Sequence, residues 1–184
     1  MDTAQEAPNT VILAQDEASL YLQATIQVVW HHRGQTPIVK VDPSRKSVHF
    51  YGALNLGSGQ EFAMSSPVMN GDTTALFLQK LLFTYPEQPI LMLWDRAPWH
   101  FGASIDALLA ANPRLQLMYF PPASPELNPQ EHVWKAARTA ISHNHRFARL
   151  ETLADQFLTY LSTTRFPSFL LDIYGYNHIC PMFT

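Results

Sequence analysis

The feature that most constrains the fold is the stretch 117–134, LMYFPPASPELNPQEHVW, where a strand pattern gives way to a helix start. Leu117 to Phe120 is an apolar run that we interpret as a buried strand. The prolines at 121 and 122 end it, because proline cannot donate to a strand ladder. The sequence NPQE at 128–131 predicts a helix start, since asparagine is a strong N-cap and proline suits the first helical position. We therefore expect Glu131 on the first turn of a helix that follows a core strand.

The composition predicts one globular domain, 1–184. The chain has 184 residues, 47% of them apolar, which is enough for a hydrophobic core. No apolar run approaches the ~18 residues of a membrane span, and the polar N-terminus lacks a signal-peptide pattern. The single Cys180 excludes an internal disulfide and a CxxC metal site. We expect a cytoplasmic protein whose residues 1–9 are disordered and whose tail, 170–184, has a packing that the sequence leaves open.

The first third of the chain has the pattern of a β-meander. Short runs rich in β-branched and aromatic residues are separated by turn residues, which is typical of hairpins. The predicted strands are 11–14, ending at Asp16 and Glu17, then 24–30 and 47–54, with a further strand within 61–68.

Helices then alternate with strands. Asp72 and Ser104 are the predicted N-caps of two helices. Between them, Ile90 to Trp94 is an unbroken apolar run, typical of a central strand buried on both faces. A strand at 115–120, the helix at 128 and a last amphipathic helix from Leu150 follow. The order β-β-β-α-β-α-β-α-α predicts an α/β fold with a mixed sheet and helices on both faces.

Two carboxylates share the same setting in this order. Asp16 and Asp95 each follow an apolar strand run. If those strands are parallel neighbours, both side chains emerge at the sheet edge where open α/β sheets place their sites. Glu131 is expected to lie over that edge. Three carboxylates repel each other, but Mg²⁺ prefers oxygen ligands, and two ions ~3.5–4 Å apart clamp both oxygens of a phosphodiester displacement.

Each acid also has a structural explanation. Asp16 could cap a turn, which would leave Glu17 as the relevant acid. Asp95 could pair with the adjacent Arg96. Glu131 could complete a capping box at the start of its helix. The residues alone leave these alternatives open.

Two blocks of the chain resemble a known family. WDRAPWH at 94–100 and FPPASPELNPQEHVW at 120–134 are similar to the second-Asp and Glu blocks of DDE transposases. The group is the one of insertion sequences related to the mariner-like elements. It usually has an Asp-Asn pair with a nearby His, then Leu-Pro-Pro-x-Ser-Pro-x-Leu-Asn-Pro-x-Glu. Upstream, 14–39 resembles the first-Asp block and 51–59 the strand after it, so the resemblance runs from about 11 to about 138.

The resemblance implies an RNase H-like mixed five-stranded sheet and metal-dependent DNA strand cleavage and strand transfer. It implies that Asp16, Asp95 and Glu131 hold two Mg²⁺ or Mn²⁺ ions per active site. One ion would activate water or a DNA 3′-hydroxyl, and the other would stabilise the leaving oxygen. Transposon ends and target DNA would be the partners, in a homodimeric complex that is associated with the nucleoid if the source is bacterial.

Two departures from the family pattern support an alternative. Arg96 stands where the family usually has Asn, and it either faces away or competes with metal for Asp95. The helix-turn-helix modules that usually precede this core are missing from the sequence, and a separate polypeptide is one source for them. The alternative is a catalytically inactive, domesticated core that serves as a DNA-binding or assembly module. An RNase H-like nuclease for RNA–DNA hybrids has the same chemistry but not the Asn-Pro-x-Glu block.

The net charge of −3 does not by itself indicate a nucleic-acid binder, but the region after Glu131 is locally basic. Steps of about 100° per residue place Lys135, Arg138 and Ser142 on the helix stripe of Glu131. The predicted DNA contacts are Lys135, Arg138, Arg146 and Asn128. The alternative is an ordinary solvated helix face.

The histidines near these motifs have a structural explanation as well as a functional one. His100 could touch a phosphate, but a turn or core position is the more common role for such a residue. His132 is expected to point away from the stripe of Glu131. His143 lies in a His-Asn-His run, but a helix end is not the ββα context of an HNH nuclease. Trp99 is the one tryptophan that we consider for stacking on a base.

Overall fold

The computed structural model describes residues 9–22, 34, 46–121, 124, 127–143, 145 and 147–166. The predicted strand at 24–30, the predicted DNA contact Arg146 and the tail at 170–184 lie outside the described residues. In the described part of the chain, the strands are β1 Val11–Tyr21, β2 Ser47–Asn55, β3 Glu61–Ser66, β4 Ile90–Trp94 and β5 Leu115–Tyr119. The helices are α1 Gly71–Thr84, α2 Ala103–Ala111, α3 Gln130–Ala137 and α4 Leu150–Thr163. A 3-10 turn, Pro98–His100, follows β4, and a π-helical turn, Arg138–Ser142, extends α3.

The strands form one mixed sheet in the order β3-β2-β1-β4-β5. The pairs β1–β2 and β2–β3 are antiparallel, as expected for strands joined through hairpins. The pairs β1–β4 and β4–β5 are parallel, because helices connect the later strands. The predicted mixed five-stranded sheet is confirmed, and β4 lies in its interior as its apolar sequence indicated.

Helices cover both faces of the sheet, as predicted. On one face α3 and α4 pack on β1 and β2, with Trp134, Phe157 and Phe50 at the centre. On the other face α1 and α2 pack around Phe77 and Trp94. These side chains are almost completely buried. None of the described helices is long and apolar enough to cross a membrane.

β1 is longer than its apolar run, so the predicted end of this strand is wrong. It continues through Asp16 and Glu17 because β2 pairs with it as far as Tyr21. Its parallel pairing with β4 does end early, at Ala14 opposite Leu93. Asp16 therefore lies in the middle of the segment of β1 that pairs with β2. It also lies just past Ala14, the last residue of β1 that pairs with β4.

The predicted caps of the first two helices are also wrong. Asn70 caps α1, and its Oδ1 accepts a hydrogen bond from the N–H of Thr73 at 2.9 Å. α2 begins after Gly102, whose φ of 132° suits glycine. The Ser104 hydroxyl instead donates to Asp72 Oδ1 at 2.6 Å. The two residues expected to cap separate helices therefore bond to each other.

The strand before α3 is less buried than its sequence suggested. β5 is an edge strand in which buried and exposed positions alternate, and Met118 is 39% exposed. The expectation of a buried strand at 117–120 is therefore wrong. An apolar run cannot tell an edge strand from an interior one, because it carries no information about the neighbouring strand.

Candidate active site

Asp16 lies on the face of β1 that α3 covers. The indole N–H of Trp134 donates to Asp16 Oδ2 at 3.1 Å. Burial and the neighbouring charges of Glu17, Glu131 and Asp95 raise the pKa of Asp16 to about 7. The charges of the other two predicted site residues therefore act on Asp16, although they come from different elements.

Asp95 directly follows β4 and is held by two donors. Its Oδ1 accepts a hydrogen bond from the N–H of Ala97 at 2.9 Å and lies 2.9 Å from His100 Nδ1. The hydrogen bond from His100 lowers the pKa of Asp95, even though burial opposes this effect. The side chain is 48% exposed. An ionised and accessible carboxylate therefore stands at the end of the central strand.

Glu131 lies on the first turn of α3, and its side chain is exposed. In the same turn, Asn128 Oδ1 accepts a hydrogen bond from the N–H of Gln130 at 3.1 Å and so caps the start of the helix. Asn128 Nδ2 also donates to the carbonyl of Gln15, at 3.3 Å. Asn128 thus ties the start of α3 to β1 beside Asp16. Because Asn128 is only 5% exposed, its position gives no support to the predicted DNA contact.

Glu17 occupies a different environment from Asp16, since adjacent strand residues point to opposite faces. It lies among donors, with His100 Nε2 at 3.0 Å, Trp99 Nε1 at 2.9 Å and Gln15 Nε2 at 2.7 Å. The indole of Trp99 is thus fixed to Glu17, which gives no support to a role in stacking on a base. Glu17 therefore anchors β1 to the turn that follows β4.

His100 is buried between Glu17 and Asp95. Burial alone would lower its pKa, but hydrogen bonds to Asp95 and Glu17 raise it to about 9. The imidazole is therefore a cation at neutral pH, and it connects β1 to the end of β4. Of the two roles considered for this residue, the structure favours the buried one.

Arg96 turns away from Asp95. Its guanidinium carbon lies 5.0 Å from the centroid of the Tyr119 ring, which stacks in turn on Phe101. None of the ion pairs found in the described part of the chain joins Arg96 to Asp95. Arg96, which stands where the family usually has Asn, therefore does not place its positive charge on Asp95.

The donor chemistry at this end of the sheet suits a hard divalent cation, because the predicted ligands are carboxylate oxygens. Among the described residues, no group of three His, Cys, Asp or Glu side chains is gathered tightly enough to ligate one ion. Asp16 is turned to Trp134, and Asp95 is turned to His100 and Ala97. Each of these two acids is thus oriented by its own protein donors.

A basic groove adjoins Glu131. It has a volume of about 300 Å³ and is lined by Glu131, His132, Lys135, Arg138 and His143. Helical spacing alone did not place His132 or His143 on the helix stripe of Glu131. Burial and the charge of Arg138 lower the pKa of His143.

The π-helical turn explains part of the difference between the predicted stripe and the groove. It adds residues to the turn after Arg138, so that steps of about 100° no longer hold. Ser142, predicted on the stripe of Glu131, is buried and donates to the carbonyl of Arg138 at 3.2 Å. His143 follows it and reaches the groove.

Comparison with known proteins identifies the family of the chain. Residues 11–154 match the family model described as DDE superfamily endonuclease. The insertion element IS630 uncharacterized 39 kDa protein of Shigella sonnei is 26% identical over 156 residues. That match covers 83% of this chain and 45% of the relative, so the chain spans less than half the length of the curated relative.

Solved structures confirm the fold. The mariner Mos1 paired-end complex with Mg is similar with a TM-score of 0.67 and 15% identity, over 95% of this chain and 56% of that chain. The catalytic domain of Mos1 mariner transposase has a TM-score of 0.59 and 14% identity, over 92% of this chain and 76% of that chain. These neighbours are RNase H-like catalytic domains, as predicted. The chain therefore belongs to the DDE superfamily endonucleases.

Proposed function

We propose that this chain performs metal-dependent DNA strand cleavage and strand transfer, with Asp16, Asp95 and Glu131 as its acids. The observation that supports this most directly is the environment of Asp16. Burial above all raises its pKa to about 7, and the charges of Glu131 and Asp95, which come from other elements, add to that effect. Carboxylates that repel each other weaken a fold, and a bound cation would offset that repulsion.

In this proposal the three carboxylates hold two Mg²⁺ or Mn²⁺ ions. When bound, such a pair activates water or a DNA 3′-hydroxyl and stabilises the leaving oxygen. The chain's own contribution is to orient the acids. Trp134 directs Asp16, and His100 with the N–H of Ala97 directs Asp95. The exposed Glu131 completes the set from α3.

The partner that we propose is DNA, as transposon ends and as target. Lys135 and Arg138 line the groove beside Glu131, where they would contact phosphates that flank the reacting bond. Mos1 transposase has been solved with a transposon end, which supports a DNA partner for this fold. A homodimer in the active complex, a separate helix-turn-helix polypeptide and a DNA contact by Arg146 are further proposals, which come from the sequence resemblance and its basic residues.

The test is a nicking assay on supercoiled plasmid with Mn²⁺. We expect the wild type to nick the DNA and Asp95→Asn to be nearly inactive. Asp106→Asn, an exposed acid on α2, is the matched control and should keep wild-type activity. If the wild type binds DNA but no protein nicks it, the alternative of an inactive DNA-binding or assembly module replaces this proposal.

A further inference from the structure

A buried acid lies behind the candidate site. Glu61, at the start of β3, is only 9% exposed and sits on the face that α3 covers. The side-chain amide of Gln130 donates to Glu61 Oε1 at 2.6 Å, and Gln130 is completely buried. Gln130 is the residue immediately before Glu131. The contact therefore joins the first turn of α3 to the sheet right beside the third acid.

The strand residue beside this contact is Gly52, which has no side chain. A Cβ at Gly52 would stand 2.4 Å from both Gln130 Nε2 and Glu61 Oε1, and 2.6 Å from Trp134 Cη2. Those distances are far shorter than van der Waals contact, so a side chain at Gly52 would force the side chains of Gln130, Glu61 and Trp134 to move. Gly52 also pairs with Asp16 across β1 and β2. Because Gly52 has no side chain, Gln130 can lie close to the sheet at the position next to Asp16.

The pair also contains two buried oxygens that need an explanation. Glu61 Oε2 and Gln130 Oε1 are buried without a hydrogen-bond partner among the described residues. Burial raises the pKa of Glu61 well above its ordinary value, which favours the neutral form of its carboxyl group. A neutral carboxyl group carries one O–H donor. The amide oxygen of Gln130 needs such a donor as its hydrogen-bond partner. Acid and amide thus complement each other, whereas an ionised Glu61 would bury an uncompensated charge.

We propose that the Glu61–Gln130 hydrogen bond, seated over Gly52, positions Glu131 opposite Asp16. Glu61 and Gln130 are positioning residues, because neither has access to solvent or to DNA. The bond fixes the height and direction of the first turn of α3 above β1, β2 and β3. This inference rests on the proposed function in one respect, namely that Glu131 is a metal ligand.

The decisive variant is the double replacement Glu61→Leu with Gln130→Leu. An apolar pair of similar volume commonly keeps or raises stability when it replaces a buried polar pair, so the variant is expected to fold. We expect its Mn²⁺ affinity, measured by titration calorimetry, to fall about 10-fold to 100-fold, the range for partners that orient ligands. Glu61→Gln keeps a neutral hydrogen-bonding group and should retain near wild-type affinity.

Thr74→Val is the matched control. Thr74 is completely buried on the opposite side of the sheet, where its hydroxyl donates to the carbonyl of Asn70 at 2.9 Å. This variant should lower the Tm without changing Mn²⁺ affinity. A double variant with wild-type Mn²⁺ affinity would overturn the proposal, since the pair would then contribute to stability only.

Hydrogen–deuterium exchange without metal separates this inference from the proposed function. Loss of the pair should speed exchange at the amides of the first turn of α3, Glu131 to Trp134, and leave β1 and β4 unchanged. If the wild type neither binds Mn²⁺ nor nicks DNA, the proposed function fails, but the faster exchange would still show that the pair positions α3. Unchanged exchange in the double variant would overturn the positioning role itself.

Discussion

Trp134 and Asp16 are joined by a hydrogen bond of 3.1 Å between the indole nitrogen of α3 and a carboxylate oxygen of β1. Trp134 lies three residues after Glu131, so one helix both carries the third acid and orients the first. A displacement of α3 would therefore disturb two of the three acids at once. The predictions below separate the contributions of these acids and of the groups around them.

Glu131 is the residue whose substitution should separate activity from stability. Because its side chain is exposed and Asn128 provides the cap, Glu131→Gln should change the free energy of unfolding by less than about 1 kcal/mol, the scale of helix-dipole effects. It should nearly abolish nicking in Mn²⁺, because a neutral amide is a poor ligand for a hard cation. Thermal melts and the plasmid assay measure both, and a Gln variant that nicks at the wild-type rate would remove Glu131 from the catalytic set.

Asp16→Asn should stabilise the metal-free protein at alkaline pH. The folded-state pKa of Asp16, about 7, lies above its unfolded value of 3.8, so ionisation of the folded protein costs stability as pH rises from about 4 to about 7. The gain in the Asn variant should be absent below pH 4, grow across that window and then level off. At about 1.4 kcal/mol per pKa unit, its ceiling is about 4 kcal/mol. Melts in EDTA at pH 4, 5.5 and 8 would test this, and an equal gain at every pH would contradict it.

His100→Gln should remove a different pH dependence. The pKa of His100, about 9 when folded against 6.5 when unfolded, gives stability that is fully present below pH 6.5 and lost as pH rises through 9. The wild-type Tm should therefore fall between pH 7 and 9.5, and the variant should lack that fall. Below pH 6.5 the variant should be less stable by about 3–5 kcal/mol, as when one partner of a buried ion pair is removed. His49→Gln, at a half-buried histidine of β2, is the control.

Lys135→Ala combined with Arg138→Ala should weaken DNA binding and flatten its salt dependence. Each lost phosphate contact lowers the slope of log K against log salt by about 0.9, so two contacts predict about 1.8. The control is Lys80→Ala with Arg165→Ala, which removes the same charge from exposed positions outside the groove. Equal slopes for the two double variants would show that the groove does not bind the phosphates.

Much of the fold was predictable because periodicity reports burial directly. The run at 90–94 matches β4 residue for residue, and the spacing from Leu150 matches the buried side of α4. The end of β1 was not predictable in the same way. Its polar residues look like a strand end, and only the partner strand β2 shows that the ladder continues through them.

The candidate acids could be named from the sequence, but the groups that hold them could not. A motif names the residues that chemistry requires, but the partners of Asp95 and Asp16 depend on contacts between distant segments. Gly52 carried a signal that was missed, since a glycine inside a strand often marks the close approach of another chain segment. Glu61 carried another, because an acid at an inward strand position needs a partner.

The two consecutive acids of β1 lie on opposite faces of the sheet, and the strand register decides which acid lies on which face. Asp16 faces α3, and Glu17 faces His100, because the pleat alternates the two sides. A slip of one residue would carry Glu17 to the place of Asp16 and would move the other inward side chains of β1 to the opposite face, so the apolar pattern of the strand opposes it. The space over Gly52 opposes it as well, because the Glu17 side chain is one methylene longer and would arrive where Gln130 and Trp134 already lie. A residue without a side chain thus helps to tell two chemically similar neighbours apart.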